Sequence, residues 1–140
     1  MQHVLSLKEF DGKWIESIVD MAMDMKKYPA KYSDALKQKT LAMVFQKTST
    51  RTRLSFETGM TKLGGHGIFI DWRTTQLALG GVPDEAKVIS RYADAIMVRP
   101  LKHETVAAFA STSRVPVING LCEMYHPCQA LADVLTIREK

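Results

Sequence analysis

The sequence predicts an α/β domain: a parallel sheet of about four strands flanked by helices. Short apolar runs at 41–45, 68–70, 95–98 and 115–118 alternate strictly with segments of helical periodicity, the order that crossover connections in a parallel sheet require. The first run, Leu41-Ala42-Met43-Val44-Phe45, is continuously apolar, as in a strand covered on both faces. Helices also start and stop on suitable residues, with Gly64-Gly65 closing one and Pro127 opening another.

Residues 1–39 read as a helical lead-in to the sheet domain at 40–140. Asp11 suits an N-cap, and Trp14, Ile15, Ile18, Val19, Ala22 and Met25 recur at helical spacing up to Pro29. Met21, Met23 and Met25 are expected as core filler. After the first strand, Leu54, Phe56, Met60 and Leu63 mark a helix beginning near Thr50 or Arg51. The strand Ile68–Ile70, a helix at 84–92, the strand Ala95–Val98, a helix at 105–111 and the strand Val115–Ile118 follow. A last helix runs from Pro127 to the end.

Composition narrows the function. Of the 140 residues, 46% are hydrophobic and 24% charged, which excludes wholesale disorder. Apolar runs fall short of the ~20 residues of a membrane span, and Met1-Gln2-His3-Val4 is not the start of a signal peptide. The net charge of +4 lacks the continuous basic, aromatic-interleaved face of a nucleic-acid binder. Neither membrane nor nucleic acid is therefore an expected partner. Cys122 and Cys128, six apart, match no metal or redox spacing, and a reducing cytoplasm is the expected location. No cluster of His, Cys, Asp or Glu has metal-ligand spacing, so no metal or cofactor is expected.

In a parallel sheet, ligands bind beyond the carboxyl ends of the strands, here loops 46–52, 71–83, 99–103 and 119–129. The first leads through Lys47-Thr48-Ser49-Thr50-Arg51-Thr52-Arg53, where a helix N-terminus, the hydroxyls of Ser49, Thr50 and Thr52 and the guanidinium fork of Arg51 coincide. That set suits an oxyanion; equally, Ser49 caps the helix and the arginines are solvated. No GxxxxGK[ST] pattern is present, which argues against a nucleotide P-loop. Arg99 follows the third strand, either at the ligand edge or paired with a neighbouring acid. His126, before Pro127, falls at an N-cap with Gln129 at the third helical position. There it either caps the helix or, kept neutral by the helix terminus, donates to a ligand oxygen. Carboxylates are nearly absent from these loops, so the site stabilises negative charge without an acid–base pair.

Together these residues resemble the carbamoyltransferase family. The resemblance rests on Phe45–Glu57 (FQKTSTRTRLSFE), Leu63-Gly64-Gly65, Ile89–Tyr92 (ISRY), Ile96–Arg99 (IMVR), Pro116–Leu121 (PVINGL) and His126–Asp133 (HPCQALAD). It covers about residues 40–140. Lys47 before the Ser-Thr-Arg-Thr run, the Arg99–His103 spacing and the string ending at Asp133 are similar to the ornithine branch. The resemblance implies transfer of a carbamoyl group from carbamoyl phosphate to the δ-amine of L-ornithine, giving citrulline and phosphate. By position, Ser49, Thr50, Arg51 and Thr52 would hold the phosphate. Arg51, Thr52, Arg99, His126 and Gln129 would surround the carbamoyl group, with Arg51, Arg99 and His126 catalytic; Arg53 is structural.

Two departures stand out. The stretch Gln76–Asp84 (QLALGGVPD) is about one residue shorter than the family's, with glycine where an acid is expected. In family homotrimers this loop reaches a neighbouring subunit's site, and Gln76 would contact phosphate there. The family's amino-acid-binding domain lies outside residues 1–140, and the last helix would cross into it. The chain is thus expected to hold the carbamoyl phosphate half of the site, to bind that ligand weakly, and to turn over poorly alone. Open alternatives are a different acceptor (putrescine, a modified ornithine or aspartate) and a non-catalytic anion-binding or oligomerisation module.

Overall fold

The computed structural model describes all 140 residues, Met1–Lys140. Four strands, β1 (Thr40–Phe45), β2 (His66–Asp71), β3 (Ala95–Arg99) and β4 (Val117–Asn119), form one sheet in the order β2-β1-β3-β4. Every pairing is parallel. From β1 the chain steps out to β2, then returns to the other side of β1 as β3. The strand order therefore reverses between β1 and β3, and the crevice past their carboxyl ends is where an open sheet of this kind accommodates a ligand.

Five helices complete the fold: α1 (Gly12–Lys27), α2 (Thr50–Lys62), α3 (Val82–Ile89), α4 (His103–Thr112) and α5 (Pro127–Glu139). Alternation along β1 and β3 divides the core in two. Ala42, Val44, Ile96 and Val98 face Val106 and Phe109 of α4 and Ala86 of α3. Leu41, Met43, Phe45 and Met97 face Met60 of α2. The period-2 side-chain rule thus explains why β1 is apolar at every position: both faces are covered. Met43, Val44, Ile96, Met97 and Phe109 are fully buried, and each such side chain stabilises the fold by roughly 2 kcal/mol.

Element boundaries follow local chemistry. Asp11 caps α1, its carboxylate accepting from the Trp14 amide at 2.8 Å. α2 ends where Gly64 takes a positive φ of 81°. α3 begins two residues earlier than the apolar spacing suggests, because Pro83 fits its first turn. β4 starts at Val117 instead of Val115, since the Val115 amide bonds the Ser113 hydroxyl and Pro116 has no N–H for a ladder.

Two expectations about the lead-in need correction. Met21 is half exposed, and Met23 and Met25 are only partly buried; the buried residue of α1 is Val19. The cause is that α1 lies against α5 through the ion pairs Asp20–Arg138 (2.7 Å) and Lys26–Glu139 (2.6 Å), away from the main core. Residues before α1 do more than lead in. Val4 bridges Ile118 in parallel, donating to Val117 O and accepting from Asn119 N, each at 2.8 Å. No helix is long and apolar enough to cross a membrane.

Candidate functional site

The loops after β1, β3 and β4 enclose a cleft of about 590 Å³ lined by Ser49, Arg51, Thr52, Arg99, His126 and Gln129, with Ser55, Phe56, Gly120, Leu121, Cys128 and Ala132. The β1 and β3 ends are zipped together: Gln46 N donates to Arg99 O (3.0 Å), and Gln46 Oε1 accepts from Leu101 N (2.9 Å). This register carries Arg99, paired with Phe45 across the ladder, to the rim of the sheet.

Thr52 joins the two sides. Ser49 is the N-cap of α2: its hydroxyl accepts from the Thr52 amide (3.3 Å) and donates to Thr52 Oγ1 (3.0 Å). Arg99 Nη1 donates to the same Oγ1 at 3.0 Å and also reaches Gly120 O at 3.5 Å. With two donors on its oxygen, the Thr52 hydroxyl has its own hydrogen left to give. Arg99 Nε is buried without a hydrogen-bond partner. Burial, and secondarily the charge of Arg51, lower the Arg99 pKa from its ordinary value. Arg51 is exposed and makes no ion pair. Two cations held together with no carboxylate among the lining residues form a site poised for an anion.

His126 caps α5, Nδ1 accepting from the Gln129 amide at 3.4 Å. An accepting Nδ1 leaves the proton of the neutral ring on Nε2 as a donor. Its pKa is lowered, chiefly by burial and then by Arg99, against an opposing effect of Asp133. Burial and the Arg99 charge thus both favour the neutral imidazole expected from the sequence. Gln129 Nε2 donates to Asp133 Oδ1 (2.8 Å), which fixes the amide at the cleft edge.

The structure settles two of the readings left open by the sequence. Arg99 pairs with a hydroxyl and a carbonyl rather than an acid. Ser49 does cap a helix, and it lines the cleft as well. Not every expected residue joins the cleft. Thr50 lies on an adjoining depression of about 560 Å³ with Lys47, Thr48, Arg53 and Arg73. There Arg53 pairs with Glu57 at 2.9 Å and stacks on Phe69, in keeping with a structural role. Gln76 is exposed on a one-turn 3-10 helix and lines neither depression.

Sequence reasoning missed Leu121. It adopts a φ of 146° and is held there by a bond from its amide to Asn119 Oδ1 (3.0 Å). In an Asn-Gly-Leu string the glycine is the natural bearer of a positive φ. Gly120 is needed for space instead: a Cβ there would stand 2.5 Å from Met97 Sδ. Cys128 was also missed as a lining residue; burial pushes its thiol up to about 11. No group of three His, Cys, Asp or Glu side chains could hold a metal ion.

A doubly wound sheet whose switch-point crevice is cationic, hydroxyl-rich and free of lining carboxylates defines a class of α/β proteins that bind small anions. Residues 2–139 match the family model for the aspartate/ornithine carbamoyltransferase carbamoyl-P binding domain, and the chain belongs to that family. The catabolic ornithine carbamoyltransferase of Halobacterium salinarum is 47% identical over all of this chain and 48% of its own length. The anabolic ornithine carbamoyltransferase of Campylobacter jejuni superposes with a TM-score of 0.93 at 46% identity, covering 99% of this chain and 45% of that one. The ornithine carbamoyltransferase of Pyrococcus furiosus gives 0.94 at 45% identity, covering 99% and 45%. The chain thus spans about half the length of the relatives it matches.

Proposed function

We propose that the cleft binds carbamoyl phosphate and forms the donor half of an ornithine carbamoyltransferase site, in which the carbamoyl group passes to the δ-amine of L-ornithine to give citrulline and phosphate. The supporting observation is the convergence of Arg51, Thr52, Arg99 and His126 on one cleft with no lining carboxylate. Ser49, Arg51 and Thr52, at the start of α2, would take the phosphate, where the free N–H groups and positive end of the helix favour an anion. Arg99, His126 and Gln129 would face the carbamoyl group.

The neutral amine adds its lone pair to the carbamoyl carbon, and the carbonyl oxygen becomes an oxyanion. The Thr52 hydroxyl, the Arg99 guanidinium and His126 Nε2–H are the donors for that charge. Each donor set in advance around an oxyanion lowers the barrier by about 3 kcal/mol. The C–O bond to phosphate then breaks. The departing phosphate accepts the amine proton, so the chain needs no general base. Holding both reactants in line supplies further acceleration.

No cleft residue is an acid that could hold the acceptor's ammonium. Residues 1–140 alone are therefore expected to bind the donor and to form citrulline slowly or not at all. Gln76, which does not line its own cleft, would serve a neighbouring copy in the homotrimer that the family resemblance implies. Calorimetric titration of carbamoyl phosphate tests the reading. Millimolar or tighter binding that vanishes in Arg51→Ala supports it, and an absence of binding at millimolar ligand favours a non-catalytic module. Assaying ornithine, putrescine and aspartate in turn, each for its own carbamoylated product, distinguishes the acceptors.

A further inference from the structure

His126 reaches the cleft from the end of a turn, residues 119–125, that has little regular structure to hold it. One sulfur atom gathers that turn. Cys122 is 5% exposed, and its Sγ accepts from the Tyr125 amide (3.3 Å) and from Asn119 Nδ2 (3.3 Å). The same Sγ lies 3.6 Å from His103 Nδ1 at the start of α4, and its S–H reaches Tyr125 O at 3.7 Å. The Cys122 amide closes the ring by donating to Tyr125 O at 3.1 Å. The His103 ring packs edge-on against Tyr125, with centroids 5.0 Å apart. Asn119 Nδ2 also donates to Leu5 O (2.9 Å), tying the turn to the N-terminal segment.

We propose that Cys122 is a positioning residue: its sulfur joins β4, α4 and the 122–125 turn into one rigid piece that presents His126 to the anion in the cleft. The role calls for an acceptor at this position rather than mere bulk. A space-filling side chain without a lone pair would leave the Tyr125 amide unpaired, and a buried unpaired amide opens its turn. Serine, with a shorter but competent acceptor, would keep the turn closed.

The inference rests on the cleft being an anion site, and the experiment separates the two. Inorganic phosphate is titrated into the 140-residue chain and into its Cys122→Ala and Cys122→Ser variants. The His126 Cε1 proton is followed against pH in each by NMR. The expected result is that Cys122→Ala weakens phosphate binding about fivefold, as loss of one ordered hydrogen bond would. Its His126 titration should also move up toward the ordinary histidine value as the ring loses its burial and then its closeness to Arg99, the two causes that lower it against the opposing charge of Asp133. Cys122→Ser should restore both readouts. An alanine variant that binds and titrates like the parent overturns the proposal, as does a serine variant that behaves like alanine. If Cys122→Ala fails to fold, hydrogen exchange of the Tyr125 amide in the unaltered chain decides: strong protection supports the sulfur bond, and free exchange refutes it. If the parent chain binds no phosphate, the functional reading fails while the His126 titration and the Tyr125 exchange still judge Cys122.

Discussion

Arg99→Met isolates binding from stability more cleanly than any other change in the cleft. The methionine keeps most of the aliphatic stem while removing the guanidinium. Lost with it are the bonds to Thr52 Oγ1 (3.0 Å) and Gly120 O (3.5 Å). Each bond of this kind contributes roughly 1 kcal/mol net, and Thr52 keeps its bond from Ser49. Against that loss stands relief of a half-buried cation whose Nε has no partner and which sits close enough to Arg51 to feel its charge. The two effects nearly cancel, so the melting temperature should move by no more than a few degrees. Binding has no such compensation. A charge-assisted hydrogen bond to a dianion is worth about 2 kcal/mol, roughly a 30-fold rise in Kd for phosphate or carbamoyl phosphate. Calorimetry at low and at high salt, beside a thermal melt followed by circular dichroism, measures both quantities. A variant that melts far below the parent yet binds phosphate equally well would show that Arg99 is a structural residue, and the cleft argument would fail.

Other consequences can be checked on the same material. Ser49→Ala removes the cap of α2 and the donor to Thr52, and should cost about 1 kcal/mol, a drop of roughly 3–5 °C in melting temperature. His3 accepts from the Val117 amide at Nδ1 (3.1 Å), and burial, then the N-terminal charge, lowers its pKa below 6.5. The unfolded chain therefore binds that proton more tightly, and His3 supplies stability that is present above pH 6.5 and lost as pH falls through the lower folded value. Replacing His3 with Gln should flatten this part of the stability–pH curve, and a curve unchanged by the substitution contradicts the assignment. Cys128, pushed up to about 11, should react with a thiol reagent at neutral pH only when the chain is denatured.

Much of the fold was legible because it depends on local signals. The unbroken apolar run of β1 implied cover on both faces, and Asp11, Gly64 and Pro127 marked helix ends where the structure has them. The site was legible because one rule, ligands at the carboxyl edge of a parallel sheet, directed attention to four loops. Three of these bring Ser49, Arg51, Thr52, Arg99, His126 and Gln129 together. What escaped the sequence depends on tertiary placement. The methionines of α1 are expected as core filler, yet α1 packs beside α5 through ion pairs and leaves Met21 half exposed. Gln76 is in a loop at the right edge, and no periodicity says that its side chain stays off the cleft. The positive φ of Leu121 follows from the Asn119 side chain gripping its amide and from the closeness of Met97 to Gly120, neither of which a string of residues reveals.

The most direct test is a crystal structure of this chain grown with carbamoyl phosphate or inorganic phosphate. The anion should be found within hydrogen-bonding distance of Arg51, Thr52 and Arg99, with His126 Nε2 turned toward it. An anion seated instead beside Lys47, Arg53 and Arg73, leaving the Arg99 cleft to solvent, would contradict the account.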